Sequence, residues 1–444
     1  MMSENLKEGY QKTILGNLPN DWEVKKLGDN AYIKARIGWR GLSSKEYTEE
    51  GPYLIAGKHI KGSKIIWEKC DHISIERYEE SAEIQLCEQD IIMSKDGTIG
   101  RVGFIDFLPG SATINGTMML IRPDESLFSK YLYYYFQGSK FQSLISEKIS
   151  GSSVPHIFQR DMVTLNIPVP PYGEQKKIAD ILISLDETIE KTEAILEKIE
   201  KVKQGLMQQL LTKGIGHIHY KKTHIGTIPE KWEIRSVGEL CLVKGGKRIP
   251  KGESFSEAKT SYPYVRVSDF SNNSINIENL KYVTDEVRQK IKRYTISSED
   301  VYISIAGIYL GIVGTVPKEL DNALLTENAA KIVIKNKEII SKDYLIYVLE
   351  SLSVREQIRI FSGVTGVPKL GLNKIEKIII PIPPMPEQKK IVDIIKNCSR
   401  RIEKEKSTLK QFKIVKQGLM QLLFTGKVRV KVDEAEVTQV CPPL

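Results

Sequence analysis

No apolar run in this chain of 444 residues approaches the ~20 residues that a membrane span requires. The opening stretch, Met1-Met-Ser-Glu-Asn-Leu-Lys-Glu8, has no apolar core of the kind a signal peptide carries, so the expected location is the cytoplasm. Cysteine is scarce. The five residues, Cys70, Cys87, Cys241, Cys398 and Cys441, are scattered and odd in number, with no Cys-x-x-Cys pair. That argues against both a disulfide framework and a zinc site. His59, His72 and His156 stand apart, without a carboxylate at metal-ligand spacing. Gly97-Thr-Ile-Gly-Arg-Val-Gly103 lacks the Lys-Ser/Thr ending and the strand-then-helix setting of a phosphate loop, and reads as strand turns. There is no nucleophile elbow, no matched pair of catalytic carboxylates and no helicase motif. A catalytic residue, a metal ligand and a cofactor are therefore not expected in this chain.

What the chain does have, it has twice. Ile167-Pro-Val-Pro-Pro-Tyr-Gly-Glu-Gln-Lys-Lys-Ile178 returns as Ile380-Pro-Ile-Pro-Pro-Met-Pro-Glu-Gln-Lys-Lys-Ile391. Lys203-Gln-Gly-Leu-Met-Gln-Gln-Leu-Leu211 returns as Lys416-Gln-Gly-Leu-Met-Gln-Leu-Leu-Phe424, and both pairs are offset by 213 residues. Nearer the start, Gly16-Asn-Leu-Pro-Asn-Asp-Trp22 returns as Gly226-Thr-Ile-Pro-Glu-Lys-Trp232, offset by 210. A near-constant offset means one module duplicated in tandem. A length of 444 residues likewise exceeds what a single core fills.

Each repeat contains a long helix. No proline and only one glycine, Gly205, fall between Glu174 and Leu211. Positions step by four and three through Ile178, Leu182, Leu185, Ile189, Thr192, Leu196, Ile199, Lys203, Leu206 and Leu210. The second copy runs Ile391, Ile395, Cys398, Ile402, Glu405, Leu409, Phe412, Lys416, Leu419 and Leu423. Polar residues recur at two seam positions (Thr192 and Glu405, Lys203 and Lys416), where they cost stability and help to fix register. Prolines 170, 171, 384 and 386 rigidify the helix starts, and Gly214 and Gly426 close the ends. Each 38-residue stretch would span about 57 Å. Residues 174–211 carry six basic and eight acidic residues, net −2, and residues 387–424 carry ten and four, net +6. Opposite charge favours pairing of one helix with the other. The simpler arrangement is two separate helices, each packed on its own domain.

Residues 15–166 and 225–379 read as mixed, strand-rich modules. Short β-prone runs cover Ile84–Ile92, Val102–Phe107, Met118–Arg122 and Ile375–Ile380. Tyr131–Phe136 and Tyr344–Leu349 read as buried helices, capped by Ser129 and by Ser341. Asp90–Gly97 aligns with Asp300–Gly307, Ile99–Gly103 with Leu310–Gly314, Ala112–Gly116 loosely with Leu325–Ala329, and Ser153–His156 with Gly366–Lys369. Scaffold residues match while side chains at the turns differ, as expected of one reader tuned to two ligands. The fold class is α+β: two mixed strand-rich globular domains and two long helices forming an antiparallel coiled coil, with internal pseudo-two-fold symmetry. The expected boundaries are 1–166, 167–214, 215–379, 380–430 and a tail at 431–444. A net charge of +9 leans weakly toward a polyanionic partner.

Two divergent modules alternating with near-identical helices, each introduced by Ile-Pro-x-Pro-Pro and Glu-Gln-Lys-Lys-Ile, resemble the specificity subunit of type I restriction–modification systems. The resemblance covers essentially the whole chain. It implies that each module reads one half of a split sequence in double-stranded DNA and that the helix pair sets the spacer. It also implies two modification subunits that methylate adenine N6 and two motor–nuclease subunits. S-adenosylmethionine, ATP and Mg would be bound by those partners and not by this chain. Val169-Pro-Pro-Tyr172 also resembles the loop of amino-methyltransferases, but the apolar Val169 and Ile382 cannot accept a hydrogen bond from a target amino group. A protein-binding scaffold with incidental basic charge is the alternative. Candidate DNA contacts in the first module are Lys34, Arg36, Trp39, Arg40, Lys58, His59, Lys95, Asp96, Thr98, Arg101, Ser152, Ser153 and His156. In the second they are Lys244, Lys247, Arg248, Lys251, Arg266, Tyr309, Thr365 and Lys369.

Overall fold

The computed structural model of the protein describes residues 8–35, 42–62, 64–150, 156–271, 273–363 and 368–432, the side chains of 148–150 aside. The chain forms two compact units: Met1–Glu193 with Ser407–Leu444, and Ala194–Lys406. Both long helices are present, over Tyr172–Lys213 and Met385–Leu423, so each unit holds part of both.

In the first unit, a four-stranded antiparallel sheet is ordered Val102–Phe104, Ile91–Ser94, Met118–Pro123, Ala31–Ala35. A second sheet holds a parallel pair, Ala112–Ile114 beside Tyr47–Ile55. The second unit repeats both. Its four-stranded sheet is ordered Cys241–Gly245, Ala329–Ile334, Val301–Ser304, Val313–Thr315, and Pro263–Val265 lies parallel to Ala323–Leu325. The repeated Gly-x-x-Pro motif is the second strand of a hairpin in each: Tyr10–Thr13 with Gly16–Pro19, and Tyr220–Thr223 with Gly226–Pro229.

Several local expectations shift. The run Ile84–Ile92 is strand only from Ile91, because Ala82–Ile84 winds into a 3-10 turn. Ile375 belongs to the short helix Leu372–Glu376, and the strand starts at Ile379. Ser341 caps its helix, accepting from the Tyr344 amide at 3.3 Å, but Ser129 is the first helical residue and Phe128 takes the cap position. The loose match at Ala112 is displaced by two residues. The Asn115 amide donates to Ile55 O, as the Thr326 amide does to Val265 O, so Asn115 corresponds to Thr326.

The repeated Glu-Gln explains itself in three dimensions. Trp22 Nε1 donates to Glu174 Oε2 at 3.0 Å, and Trp232 Nε1 donates to Glu387 Oε2 at 3.0 Å. Gln175 Nε2 donates to Pro170 O (3.0 Å) and Ser126 O (3.1 Å) while its Oε1 accepts from the Phe128 amide at 2.8 Å. Gln388 does the same with Pro383 O, Ile339 O and the Ser341 amide. Tyr131 and Tyr344 hydroxyls then bond Pro168 O and Pro381 O. The proline motif is thus a strand end tied to a helix start, with Val169 paired opposite Glu23 in a sheet. Each buried polar group here has its partner, as burial demands.

The helix seam is buried where the modules meet it. Ile178, Leu182 and Leu423 join the first unit's core with Trp22 and Phe136, and Leu419 packs against it. Leu210, Ile391 and Ile395 join the second unit's core with Trp232 and Tyr344, with Leu206 packed alongside. Ile189, Leu196 and Ile402 are also buried, and Leu185, Ile199, Leu409 and Phe412 are half-buried. Within the first unit the helices run antiparallel, with Lys416 Nζ 2.6 Å from Asp186 and Lys413 Nζ 2.7 Å from Glu193. Within the second, Lys406 Nζ lies 3.4 Å from Glu200. So the seam pairs helix with helix and also closes each module's core. The helix ends use Gly214 and Gly426 at φ 66° and 65°, a left-handed conformation that suits a glycine stop.

Candidate nucleic-acid interface

In each unit, the hairpin that leaves the four-stranded sheet carries a turn held by one serine. In the first, Ser94 Oγ donates to Thr98 O and accepts from the Arg101 amide at 2.9 Å, while Gly97 and Gly100 supply φ of 70° and 78°. In the second, Ser304 Oγ donates to Tyr309 O and accepts from the Ile312 amide at 2.8 Å, with Gly307 and Gly311 at 73° and 83°. A second segment docks beside each turn. Ile157 N donates to Lys95 O at 3.1 Å, and Leu370 N donates to Ile305 O at 2.9 Å. His156 and Lys369 therefore occupy equivalent places, next to turns of the same construction.

The first unit gathers part of the expected set here. Asp96 is half-buried and bonded to His156 Nδ1, Lys95 Nζ lies 3.4 Å from Asp96, and Thr98 is exposed at the turn. His156 packs on Phe158 at 4.4 Å between centroids, and the Arg160 guanidinium covers the same ring at 4.5 Å. Ala35 N donates to Gln159 Oε1 at 3.3 Å, which brings the end of the Lys34 strand alongside. Lys34 Nζ lies 5.6 Å from the Tyr32 ring. Phe158 and Arg160 were not singled out from sequence, although an aromatic beside basic residues after His156 was a usable signal.

His59 is a correction. Its side chain is 2% exposed, its Nδ1 accepts from the Ala56 amide at 3.0 Å, and Asp71 lies 3.6 Å from Nε2. Burial pushes its pKa down, so the ring is a neutral wedge inside the module and not a surface for DNA. Arg101 is turned to the same loop: its Nη1 donates to Gly57 O at 2.7 Å and Ile60 O at 3.3 Å. Lys58 pairs with Asp71 at 2.8 Å and remains largely exposed. Arg36, Trp39, Arg40, Ser152, Ser153 and Thr365 lie outside the described residues.

The second unit brings its candidates together more completely. Arg248, Lys251, Arg266 and Tyr309 line one groove of about 870 Å³, with Asn328 and Glu327. Arg248 Nε bonds Glu327 at 2.6 Å, and Arg266 grips Asp269 through Nη2 at 2.6 Å and Nε at 3.2 Å. Lys247 is exposed, its Nζ 5.9 Å from the Tyr294 ring, and Lys244 is exposed on the edge strand Cys241–Gly245. Lys369 bridges to Ala306 at the foot of the turn. Gly246 lets the backbone pass within contact of Thr326 O, where a Cβ would sit 2.0 Å away. Among the described residues, no group of three or more His, Cys, Asp or Glu could hold a metal. No helix among them is long and apolar enough to cross a membrane.

A groove edged by cations that are half engaged by carboxylates suits a polyanion: the arginine planes are preset for hydrogen-bonding, and a phosphate can exchange for a carboxylate. The sequence pattern of the type I restriction modification DNA specificity domain matches residues 19–201 and again 229–412. The chain belongs to this specificity family. It is a specificity subunit of a type I restriction–modification system, a recognition component and not a catalyst.

Relatives of this specificity subunit span its full length. The MjaVIII specificity subunit of Methanocaldococcus jannaschii is 27% identical over 96% of this chain and 97% of its own. The putative MjaX specificity subunit of the same organism is 28% identical over 96% and 98%. Two solved structures share the fold. A chain from a type I restriction–modification system has TM-score 0.61 at 17% identity, covering 93% of this chain and 99% of its own. The S subunit from M. genitalium has TM-score 0.52 at 18% identity, covering 91% and 96%. The two family matches fall on the two units' modules with the helix that follows each, so the specificity subunit's repeat and its compact units are related but not coincident.

Proposed function

We propose that each module of this specificity subunit reads one half of a bipartite, asymmetric sequence in double-stranded DNA, and that the helix pair sets the spacer between the halves. Two modification subunits dock on the repeated frame and methylate adenine N6, and two motor–nuclease subunits complete the cleaving complex. S-adenosylmethionine, ATP and Mg are bound by those partners, and the complex works in the cytoplasm. One observation carries this reading: both modules hold the same kind of turn with one serine that donates to a carbonyl and accepts from an amide, while the residues it presents differ, Thr98 in one and Ile308-Tyr309 in the other. A conserved mount with an altered tip is what two half-sites of unrelated sequence require.

Exchange of residues 225–379 for the corresponding module of another family member tests it. The map of N6-methyladenine in the host is expected to change in one half of the target and keep the other. A change in both halves, or in neither, overturns modular reading. A protein-binding scaffold would show no methylation motif that depends on this chain.

A further inference from the structure

The two clamped turns differ by one residue. Gly97 corresponds to Gly307 at an offset of 210, but the serine clamp places Thr98 opposite Tyr309 and Gly100 opposite Gly311, at an offset of 211. Ile308 is therefore an added residue at the crest of the second turn. It is 94% exposed, more than any other large apolar residue among the described ones. The backbone beneath it is held on all sides: Gly307 N donates to Pro368 O at 3.1 Å, Leu310 N to Gly307 O at 3.1 Å and Gly311 N to Ser304 O at 3.0 Å. An isoleucine held this firmly in water gains nothing for the fold. It lines the same groove as Arg248, Lys251, Arg266 and Tyr309, whose cations specify a polyanionic occupant. The only strongly apolar group that duplex DNA displays at a base edge is the C5-methyl of thymine, in the major groove.

We propose that Ile308 is a specificity-determining residue that packs on a thymine C5-methyl in the half-site read by the second module. This rests on the reading of the module as a DNA reader and names the feature it reads. Arg248 and Lys251 hold the phosphates on the groove's rim, and Ile308 then meets the base edge with its branched side chain. In the first module the turn is one residue shorter and carries Thr98 without an isoleucine at its crest. The extra residue is thus the structural basis for the thymine contact in the second half-site.

The test uses the full chain in its modification complex and the duplex defined by the methylation map. Each thymine of the second half-site is replaced in turn by deoxyuridine, which removes only the methyl. At one position, binding by the unaltered complex is expected to weaken about fourfold, the effect of leaving one methyl-sized group unburied. Ile308→Ala is expected to weaken binding to the thymine duplex by a similar factor and to abolish the difference between thymine and uracil there. Ile308→Val should keep the difference. Ile308 is almost fully exposed, so folding is unaffected, and unchanged binding to the first half-site checks it. A second half-site without thymine, tolerance of every uracil, or an Ala variant that still discriminates would overturn this proposal while leaving sequence-specific binding intact. Absence of any sequence-specific binding would instead overturn the DNA-reading function itself.

Discussion

Glu174 is 2% exposed, and three hydrogen bonds converge on it: one from Trp22 and two from Arg429, whose Nε and Nη2 lie 2.8 Å from its oxygens. The carboxylate raises the Arg429 pKa, with Asp21 adding to the effect. Arg429→Ala leaves Glu174 with Trp22 alone. Because Arg429 is itself partly exposed, solvent replaces some of what is lost, and a destabilisation of about 2 kcal/mol is expected. A lowered urea midpoint checks it, and an unchanged one would show that the fork contributes nothing. In the second unit Glu387 is held differently, by the Ile215 amide at 2.9 Å and by His217 Nε2 at 2.8 Å. The thiols divide in the same way by burial, which pushes Cys70 and Cys241 up to about 12. A maleimide at pH 7.5 (about one unit below an ordinary thiol's pKa) is expected to spare both in the folded chain and, among the described thiols, to label the exposed Cys87 first. Rapid labelling of Cys241 would contradict its place in the core. Burial also pushes the Glu350 carboxyl up, against the pull of Asn273, Lys203 and Arg355. A carboxyl raised by folding contributes stability that is complete below its unfolded pKa and lost as pH rises through its folded one. Glu350→Gln removes that loss. The variant should therefore melt above the unaltered protein at neutral pH, with the gap closing as pH falls below the usual carboxyl range. A gap that does not change with pH would sink this assignment.

At the scale of an element, the helices carry a polar interruption that the two units resolve differently. In the first unit, Lys416 reaches Asp186 at 2.6 and 2.7 Å, Tyr134 OH donates to the same carboxylate at 2.9 Å, and the Lys416 ammonium lies 5.1 Å from the Tyr134 ring. In the second, the matching residues are Lys203, Ser399 and Tyr347, and a groove of about 1070 Å³ opens beside them, lined also by Glu350 and Arg355. Either Lys416→Leu or Asp186→Leu alone strands a largely buried charge and is expected to destabilise by about 3 kcal/mol, whereas the double substitution should lie near the starting stability. A double-mutant cycle by chemical denaturation reads the difference, and strictly additive losses would refute the coupling. The seam itself was legible, because a 3.5-residue period needs only local spacing. The lysines at 203 and 416 stood out in it. Their partners did not: Tyr134 comes from a module helix, and nothing local in sequence announces it. For the same reason Trp22 and Glu174 were each visible as repeated letters, yet their hydrogen bond, 152 positions apart, was not. At the interface, spacing revealed the equivalent turns and the His156–Lys369 correspondence. It could not reveal that His59 points inward, since a histidine between Lys58 and Ile60 looks equally well suited to either side.

At the scale of the whole molecule, the proposed spacer makes a length-dependent claim. Insertion of one heptad into both helices adds about 10 Å, and the methylated motif is expected to gain about three base pairs between its halves. An unchanged gap would show that the helices do not set it. Binding should also fall with salt at a log–log slope of roughly −0.9 per phosphate neutralised, whereas a protein scaffold would give a shallow one. The duplication was the most legible feature of all, because it is written in identical words at fixed offsets. The compact units were not. They divide both helices in mid-length, since Leu423 and Phe424 belong to the first unit's core and Leu210 and Leu211 to the second's.

The first unit is assembled from the two ends of the chain: Met420, Leu423 and Phe424 fill its core, Tyr10 OH donates to Gly426 O at 2.7 Å, and Arg429 secures Glu174. The second unit is one unbroken stretch. On the ribosome, synthesis at ~5–20 residues per second leaves the earlier module waiting tens of seconds for its final pieces. The order of maturation is therefore the reverse of the order of translation, and a message cut short just after Lys406 leaves the second unit complete and attached to an unfinished beginning.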